Sequence, residues 1–194
     1  MSETIVTTDS PAKPKLLLIV LVAIAVLLGC AVGGIWLYNE TVLQKPLQRV
    51  LLSDPRNHVV QASAHFDGWV DTQTVIFDLT DVRGDSSAMD VFRVLLQYAQ
   101  EQKGNQYKKI ILAAYGRRKF VIPGDYFQQL GREYATQNPI YTIRTFPHHI
   151  LAMDGSEPFP EVYGGVFYVL PREMEQFKTL NERWYLNDYL ARHK

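Results

Sequence analysis

The longest apolar run of the chain extends from Leu16 to Tyr38 and contains no charged residue. A helix over residues 16–38 is about 34 Å long, which exceeds the roughly 30 Å thickness of a bilayer's hydrocarbon core. Trp36 and Tyr38 end the run, and their amphipathic rings favour the headgroup layer. The pattern predicts one transmembrane helix over 16–38, preceded by a disordered tail over 1–15.

Residues 39–57 are predicted to form a connector between the apolar run and a folded domain. Four of its apolar residues recur at roughly helical spacing: Leu43, Leu47, Val50 and Leu51. Asp54-Pro55 ends this pattern, so we expect the connector to be partly helical.

From residue 58 the apolar positions alternate, which predicts β-strands. The first strand places four apolar side chains on one face: Val60, Ala62, Ala64 and Phe66. Asp67-Gly68 is typical of a tight hairpin turn. Residues 74–82 are rich in β-branched and aromatic residues, which favours a central strand.

The clearest helix of the domain is predicted to start at residue 88. Its apolar residues share one helical face: Ala88, Val91, Phe92, Leu95, Leu96 and Ala99. Ser87 and Asp90 have the spacing of a capping box. Residues 109–115 then form a second buried strand, so strand, helix and strand together predict a βαβ unit.

The last third of the chain predicts further short elements. We expect a return strand at 120–122, a helix that opens near Pro123-Gly124-Asp125, and an extended segment over 140–146. Residues 147–160 are predicted to form a loop.

A final strand is predicted over 166–170, and Pro171 suits the first turn of a terminal helix. The predicted fold class is therefore α/β, with a mixed sheet containing one βαβ unit and three to four helices over residues 58–194. The single transmembrane helix precedes it.

The balance of positive and negative charges limits the classes of partner that we expect for this domain. The chain has 20 Lys and Arg residues and 20 Asp and Glu residues. A nucleic-acid surface needs a sustained basic stripe, so nucleic acid is not a predicted partner. The densest basic cluster, Arg117-Arg118-Lys119, is interpreted as a solvated hairpin turn, with contact to anionic lipid as the alternative.

The flanks of the apolar run predict how the protein sits in a membrane. Lys13 and Lys15 precede the run closely, whereas the first charge after it is Glu40. This pattern favours a single-pass signal anchor in a bacterial inner membrane, with a cytoplasmic tail and a periplasmic domain. The lipid bilayer is thus the predicted partner of the segment from Leu16 to Tyr38.

Cys30 provides an alternative to the membrane-spanning anchor. Residues 27–30, Leu-Leu-Gly-Cys, resemble the lipobox of bacterial lipoproteins, which implies acylation of the cysteine. The apolar run continues past Cys30 as far as Tyr38, where lipoproteins usually turn polar. Membrane length therefore favours an uncleaved anchor, in which Cys30 is a small unreactive helix residue.

Candidate ligand-binding residues lie where the two parallel strands are predicted to end, since ligands of open α/β sheets bind beyond those ends. The candidates are Asp81, Arg83, Asp85 and Ser86 after the first strand, and Arg117 after the second. Free N–H groups at the start of the following helix offer a place for an anion. The favoured interpretation is structural, with the acidic and serine side chains capping that helix and Arg83 neutralising them.

Other candidate chemistry is sparse. His148 and His149 are adjacent, with Asp154 nearby, and are interpreted as a surface pair rather than a metal or acid–base site. The sequence carries no serine-hydrolase, P-loop or metalloprotease motif. No catalytic residue, metal ligand or cofactor is predicted.

Aromatic residues are the remaining signal, with 11 tyrosines, 9 phenylalanines and 3 tryptophans. Tyrosine and tryptophan commonly anchor protein interfaces. We therefore expect a membrane-anchored envelope protein with a non-catalytic binding or scaffolding domain and an envelope protein as partner. The alternative is an envelope enzyme or an anion-binding protein that uses the 81–87 turn.

Overall fold

The computed structural model describes residues 14–68 and 71–193. Its first helix, α1, comprises Pro14–Asn39, and the predicted tail over 1–15 lies almost entirely outside the described residues. Within the described part of the chain, one helix is long and apolar enough to cross a membrane, and none of its apolar window is buried. A signal sequence meets the same criteria of length and composition.

The chain divides into two compact units, Met1–Tyr38 and Asn39–Lys194. The second unit begins with a π-helical turn, Glu40–Gln44, followed by helix α2, Lys45–Ser53.

The segment predicted as a connector belongs to the folded domain. Leu43 and Leu47 are fully buried in the main core, together with Val50. The side chain of Gln44 accepts a hydrogen bond from the backbone N–H of Ala64 at 2.8 Å, which ties this segment to the first strand. The helical spacing over 39–57 was therefore a core-facing stripe, and the compact unit starts at residue 39 rather than 58.

A five-stranded mixed sheet organises the domain. Its strands are β1 (Val60–Asp67), β2 (Asp71–Val82), β3 (Lys109–Ala114), β4 (Arg117–Pro123) and β5 (Leu151–Ala152). They lie side by side in chain order. β2 and β3 are parallel, with helix α3 (Ala88–Gln102) between them in the chain, whereas the other neighbouring pairs are antiparallel. The α/β class with a mixed sheet is confirmed.

The turn between β3 and β4 lies earlier than predicted. Tyr115 and Gly116 have φ angles of 53° and 77°, the left-handed pair that suits a two-residue hairpin connection. Arg117, Arg118 and Lys119 are consequently strand residues rather than a solvated turn. Arg118 pairs with Asp67 at 2.6 Å, which neutralises part of the basic cluster.

Helices form the rest of the domain and are more numerous than the three to four predicted. They are α4 (Gly124–Glu133), α5 (Pro139–Thr145), α6 (Val166–Asn181) and α7 (Asn187–Arg192). Short 3₁₀ segments cover Pro55–Val59 and Phe146–His149, and a π-helical turn, Glu182–Leu186, joins α6 to α7.

The prediction of an extended segment over residues 140–146 is wrong, because these residues lie mostly in α5. The side chain of Asn138 caps this helix by accepting from the backbone N–H of Ile140 at 2.9 Å. Pro139 occupies the first helical position, where its missing N–H costs nothing. Asn138-Pro139 therefore starts a helix here, whereas the preceding helix α4 has already ended at Glu133.

Residues 166–170 are also helical rather than the predicted last strand. They form the first turns of α6, and Pro171 lies inside that helix. Val166 and Leu170 lie on the same helical face as the buried Phe177, so helical periodicity continues through the whole segment. The β-branched and aromatic composition of this stretch misdirected the prediction.

The hydrophobic core lies on one face of the sheet. Val75, Phe77 and Leu79 of β2 point into the main cluster with the apolar stripes of the helices. Ile76 of β2 points to the opposite face, where it joins a small cluster with Ile111 and Ala113. Alternate side chains of β2 thus enter different clusters, and residues 74–79 are buried on both faces of the sheet.

Candidate functional site

The predicted ligand-binding turn, residues 81–87, uses its side chains locally. The carboxylate of Asp81 accepts a hydrogen bond from the backbone N–H of Val82 at 2.9 Å. Arg83 and Asp85 form an ion pair at 3.2 Å, and both side chains are mostly exposed. An exposed pair of this kind is screened by solvent and contributes at most about 1 kcal/mol.

The start of α3 is a complete capping box. Ser87 and Asp90 exchange side-chain and backbone hydrogen bonds, with the backbone N–H of Ser87 donating to Asp90 at 2.8 Å. Burial alone would raise the pKa of Asp90, but the hydrogen bonds from Ser87 and Arg93 hold it below its ordinary value. The predicted capping box of Ser87 and Asp90 is confirmed.

Helix α7 lies over part of the same turn. A Cβ atom added to Gly84 would lie 2.9 Å from the hydroxyl oxygen of Tyr189. The space beyond the carboxyl end of β2 is therefore partly filled by the C-terminal helix, a contact that sequence spacing cannot predict.

Arg117, the remaining predicted site residue, pairs with α7 rather than with the turn. Its guanidinium lies 3.5 Å from one carboxylate oxygen of Asp188, whose other oxygen pairs with Lys119 at 2.7 Å. The structure therefore divides the predicted set between the turn that precedes α3 and the surface of the C-terminal helix.

The two adjacent histidines, His148 and His149, contact different parts of the domain. His148 hydrogen-bonds Gln176 on α6 at 2.7 Å. His149 packs on the ring of Tyr126 with centroids 4.3 Å apart, and burial followed by the charge of His148 lowers its pKa. Asp154 accepts from Ser156, which lowers its pKa. Among residues 14–68 and 71–193, no group of three or more His, Cys, Asp and Glu side chains has metal-binding geometry.

A concave site that sequence reasoning missed lies between α3, α4 and α5. We call it the helical groove, and its volume is about 200 Å³. Its apolar lining residues are Met89, Phe92, Leu96, Leu130, Pro139 and Ile143. Its polar lining residues are Arg93, Glu133, Tyr134, Gln137 and Thr142. Apolar walls with a few polar groups are typical of binding sites.

One polar side of the groove is held rigidly by Arg93. Its guanidinium donates to the side chain of Asn57 at 3.0 Å and to the backbone oxygen of Arg56 at 2.9 Å. It also pairs with Asp90 at 2.8 Å, and both side chains are mostly buried. Arg93 is therefore a fixed wall of the groove rather than a free charge.

The sequence contained one signal for the groove. Met89 lies beside the buried stripe of α3 and is 42% exposed, so an apolar residue stands where that amphipathic helix faces solvent. Misassignment of 140–146 as extended hid the groove, because α5 contributes Pro139 and Ile143 to its wall.

A second set of exposed apolar residues lies on α5 and the first turns of α6. Its members are Ile140, Tyr141, Val166, Phe167, Tyr168 and Leu170. Phe167 is 98% exposed. The ion pair between Arg144 and Glu173, at 2.6 Å, fixes α5 against α6.

Comparisons with known proteins returned no relative. No family model, curated protein or solved structure matches the chain.

Proposed function

We propose that this chain is a membrane-anchored protein of the bacterial envelope whose domain, residues 39–194, binds a partner protein without catalysing a reaction. The observation that carries the proposal is the helical groove, an apolar concavity in which the charge of Arg93 is already hydrogen-bonded and paired within the domain. Its occupant on this proposal is an apolar segment of an envelope protein.

The chemistry of the groove supports binding. Phe92, Leu96, Leu130 and Ile143 offer apolar walls, and burying apolar surface contributes about 25 cal/mol per Å². Because Arg93 is committed to Asn57 and Asp90, an apolar occupant does not have to desolvate that charge. Glu133, the other charged lining residue, accepts a hydrogen bond from Gln129 at 3.0 Å.

The predicted catalytic alternative has weaker support. Arg83 and Asp85 pair with each other, and Ser87 and Asp90 cap α3. An enzyme needs such groups directed at one point of a concave site, whereas these groups serve the turn and the helix that they belong to.

A substitution at the rim of the groove tests the binding function. Met89→Glu adds a charge to the first turn of α3, where a carboxylate is compatible with the helix dipole. Met153→Glu is the matched control, since Met153 lies outside the lining set and is 45% exposed against 42% for Met89. We expect Met89→Glu to abolish co-purification of a membrane partner while the melting temperature stays within about 2 °C of the wild type. Equal retention of the partner by both variants would contradict the proposal.

The anchoring part of the proposal rests on α1 and has its own test. We expect the full-length protein to stay in the membrane fraction after a carbonate wash, and Cys30→Ser to leave it there. Release of the variant, or incorporation of labelled palmitate by the wild type alone, would establish the lipoprotein alternative instead.

A further inference from the structure

A small cleft lies between the β3–β4 turn and helix α7. We call it the Arg117–Arg192 cleft; its volume is about 180 Å³ and it is lined by Tyr115, Arg117, Asp188, Ala191 and Arg192. It is formed by residues of the 39–194 domain and shares no lining residue with the helical groove.

The two arginines of the cleft are weakly compensated. Arg117 is 75% exposed in its side chain and lies 3.5 Å from Asp188, whereas Lys119 lies 2.7 Å from the same carboxylate. Lys119 is therefore the main counter-charge of Asp188, which leaves the Arg117 guanidinium largely free.

Among residues 14–68 and 71–193, no carboxylate forms an ion pair with Arg192 within 4.0 Å. Its guanidinium lies over the ring of Tyr115, 4.6 Å from the centroid. This stacking orients the guanidinium plane and leaves its N–H groups available to an acceptor.

Tyr115 lines the same cleft and carries a hydroxyl group. Its hydroxyl oxygen is buried and has no hydrogen-bond partner among the described residues. Burial, followed by the charge of Asp81, raises the pKa of Tyr115, so the hydroxyl keeps its proton. A buried donor without an acceptor is costly unless a ligand supplies one.

We propose that the Arg117–Arg192 cleft binds a phosphate group, with the two guanidiniums as charge-assisted donors and the Tyr115 hydroxyl as a third donor. Guanidinium groups match the oxygens of phosphate in pairs, and Lys119 offsets the repulsion from Asp188. This site goes beyond the proposed binding function, because it takes a different class of ligand in a different cleft.

The phosphate group has two possible sources, a soluble phosphate or the headgroup of an anionic lipid. The experiment uses the full-length protein in nanodiscs and measures its melting temperature. The first arm adds inorganic phosphate to discs of zwitterionic lipid, with chloride at equal ionic strength as the blank. The second arm omits phosphate and introduces phosphatidylglycerol into the discs.

Four variants resolve the contributions. Arg117→Gln and Arg192→Gln remove one guanidinium each, and Tyr115→Phe removes only the hydroxyl. Arg132→Gln is the matched control, because Arg132 is an exposed arginine on α4 that donates a hydrogen bond to Gln128 at 3.4 Å and lies outside the cleft lining. Each variant is compared with its own blank, so that any loss of intrinsic stability does not enter the result.

We expect a ligand-dependent rise in melting temperature for the wild type and for Arg132→Gln in at least one arm. Arg117→Gln and Arg192→Gln should weaken the apparent affinity by about tenfold or more, as expected for loss of a charge-assisted hydrogen bond, and Tyr115→Phe should weaken it by less. A rise in the first arm identifies soluble phosphate, and a rise in the second arm alone identifies the lipid headgroup. No rise in either arm, or equal rises in wild type and both arginine variants, would overturn the proposal.

Discussion

The indole N–H of Trp184 donates a hydrogen bond to the backbone carbonyl oxygen of Ala113 at 3.0 Å. Trp184 is buried, and its ring lies 6.3 Å from that of Phe77 on β2. One side chain of the C-terminal helical segment therefore joins two neighbouring strands of the sheet, and it fixes the segment that carries Asp188 and Arg192.

Trp184→Phe should destabilise the domain. The substitution leaves the Ala113 carbonyl without its side-chain donor and opens a small cavity, which together cost about 1–3 kcal/mol of unfolding free energy. Chemical denaturation of the full-length protein in detergent measures the loss. Trp36→Phe on α1 is the control, because Trp36 lies outside the domain core and should leave the transition unchanged.

The domain boundary at residue 39 predicts how truncated proteins behave. A fragment of residues 39–194 should unfold cooperatively, because it retains Leu43 and Leu47 in the main core. A fragment of residues 56–194 lacks both of these fully buried leucines, and each such loss typically costs about 2–5 kcal/mol. We expect this shorter fragment to aggregate or to unfold without a cooperative transition. Similar denaturation midpoints for the two fragments would show that α2 is dispensable.

Tyr98→Phe should stabilise the domain or leave it unchanged. Tyr98 is fully buried, and its hydroxyl has no hydrogen-bond partner among the described residues. Removing the hydroxyl avoids the desolvation penalty of an unpaired polar group, about 1–3 kcal/mol. Tyr107→Phe is the matched control and should destabilise, since the Tyr107 hydroxyl donates to Gln102 at 2.7 Å. A lower unfolding free energy for Tyr98→Phe would contradict this account of the core.

The lowered pKa of Asp54 leads us to expect that the stability of the domain depends on pH in the acidic range. Its hydrogen-bonded pair with Arg56 lowers its pKa from 3.8 to about 2. A depressed carboxyl pKa stabilises the fold above pH 4, and this contribution is lost as the pH falls from about 4 to about 2. The unfolding free energy of the wild type should therefore exceed that of Asp54→Asn at pH 6, and the difference should shrink over that acidic window. A pH-independent difference would show that the pair does not act through ionisation.

Much of the fold could be predicted from periodicity. The alternation of Val60, Ala62, Ala64 and Phe66, and the capping spacing of Ser87 and Asp90, are local signals that the structure retains. The burial of Leu43 and Leu47 was not predicted, because helical spacing shows that a stripe exists but not what covers it.

The C-terminal third was harder because its local preferences conflict with its final packing. Residues 166–170 have strand-like composition, yet they form the first turns of α6, the helix that buries Phe177 further along. Asn138-Pro139 begins a helix here, although an Asn-Pro pair is equally typical of a turn, so it does not by itself reveal the structure of the residues that follow. The error over residues 140–146 fell on α5, which forms one wall of the helical groove.

Long-range contacts separate Arg117 from the other residues of the predicted site. Asp81, Arg83, Asp85 and Ser86 stay together because they are neighbours in sequence, whereas Arg117 pairs with Asp188 on a helix that lies 71 positions later in the chain. The helical groove likewise combines three helices, and its composition follows from tertiary packing rather than from any motif.

Site-specific photo-crosslinking at Met89 tests the central claim most directly. The full-length protein carries a benzophenone amino acid either at position 89 on the groove rim or at position 153 outside it, and intact membranes are irradiated. The account predicts a discrete adduct from position 89, mapped by mass spectrometry to an apolar segment of another protein, and no such adduct from position 153. The absence of an adduct at position 89, or the same adducts from both positions, would contradict the assignment of the groove as a partner-binding site.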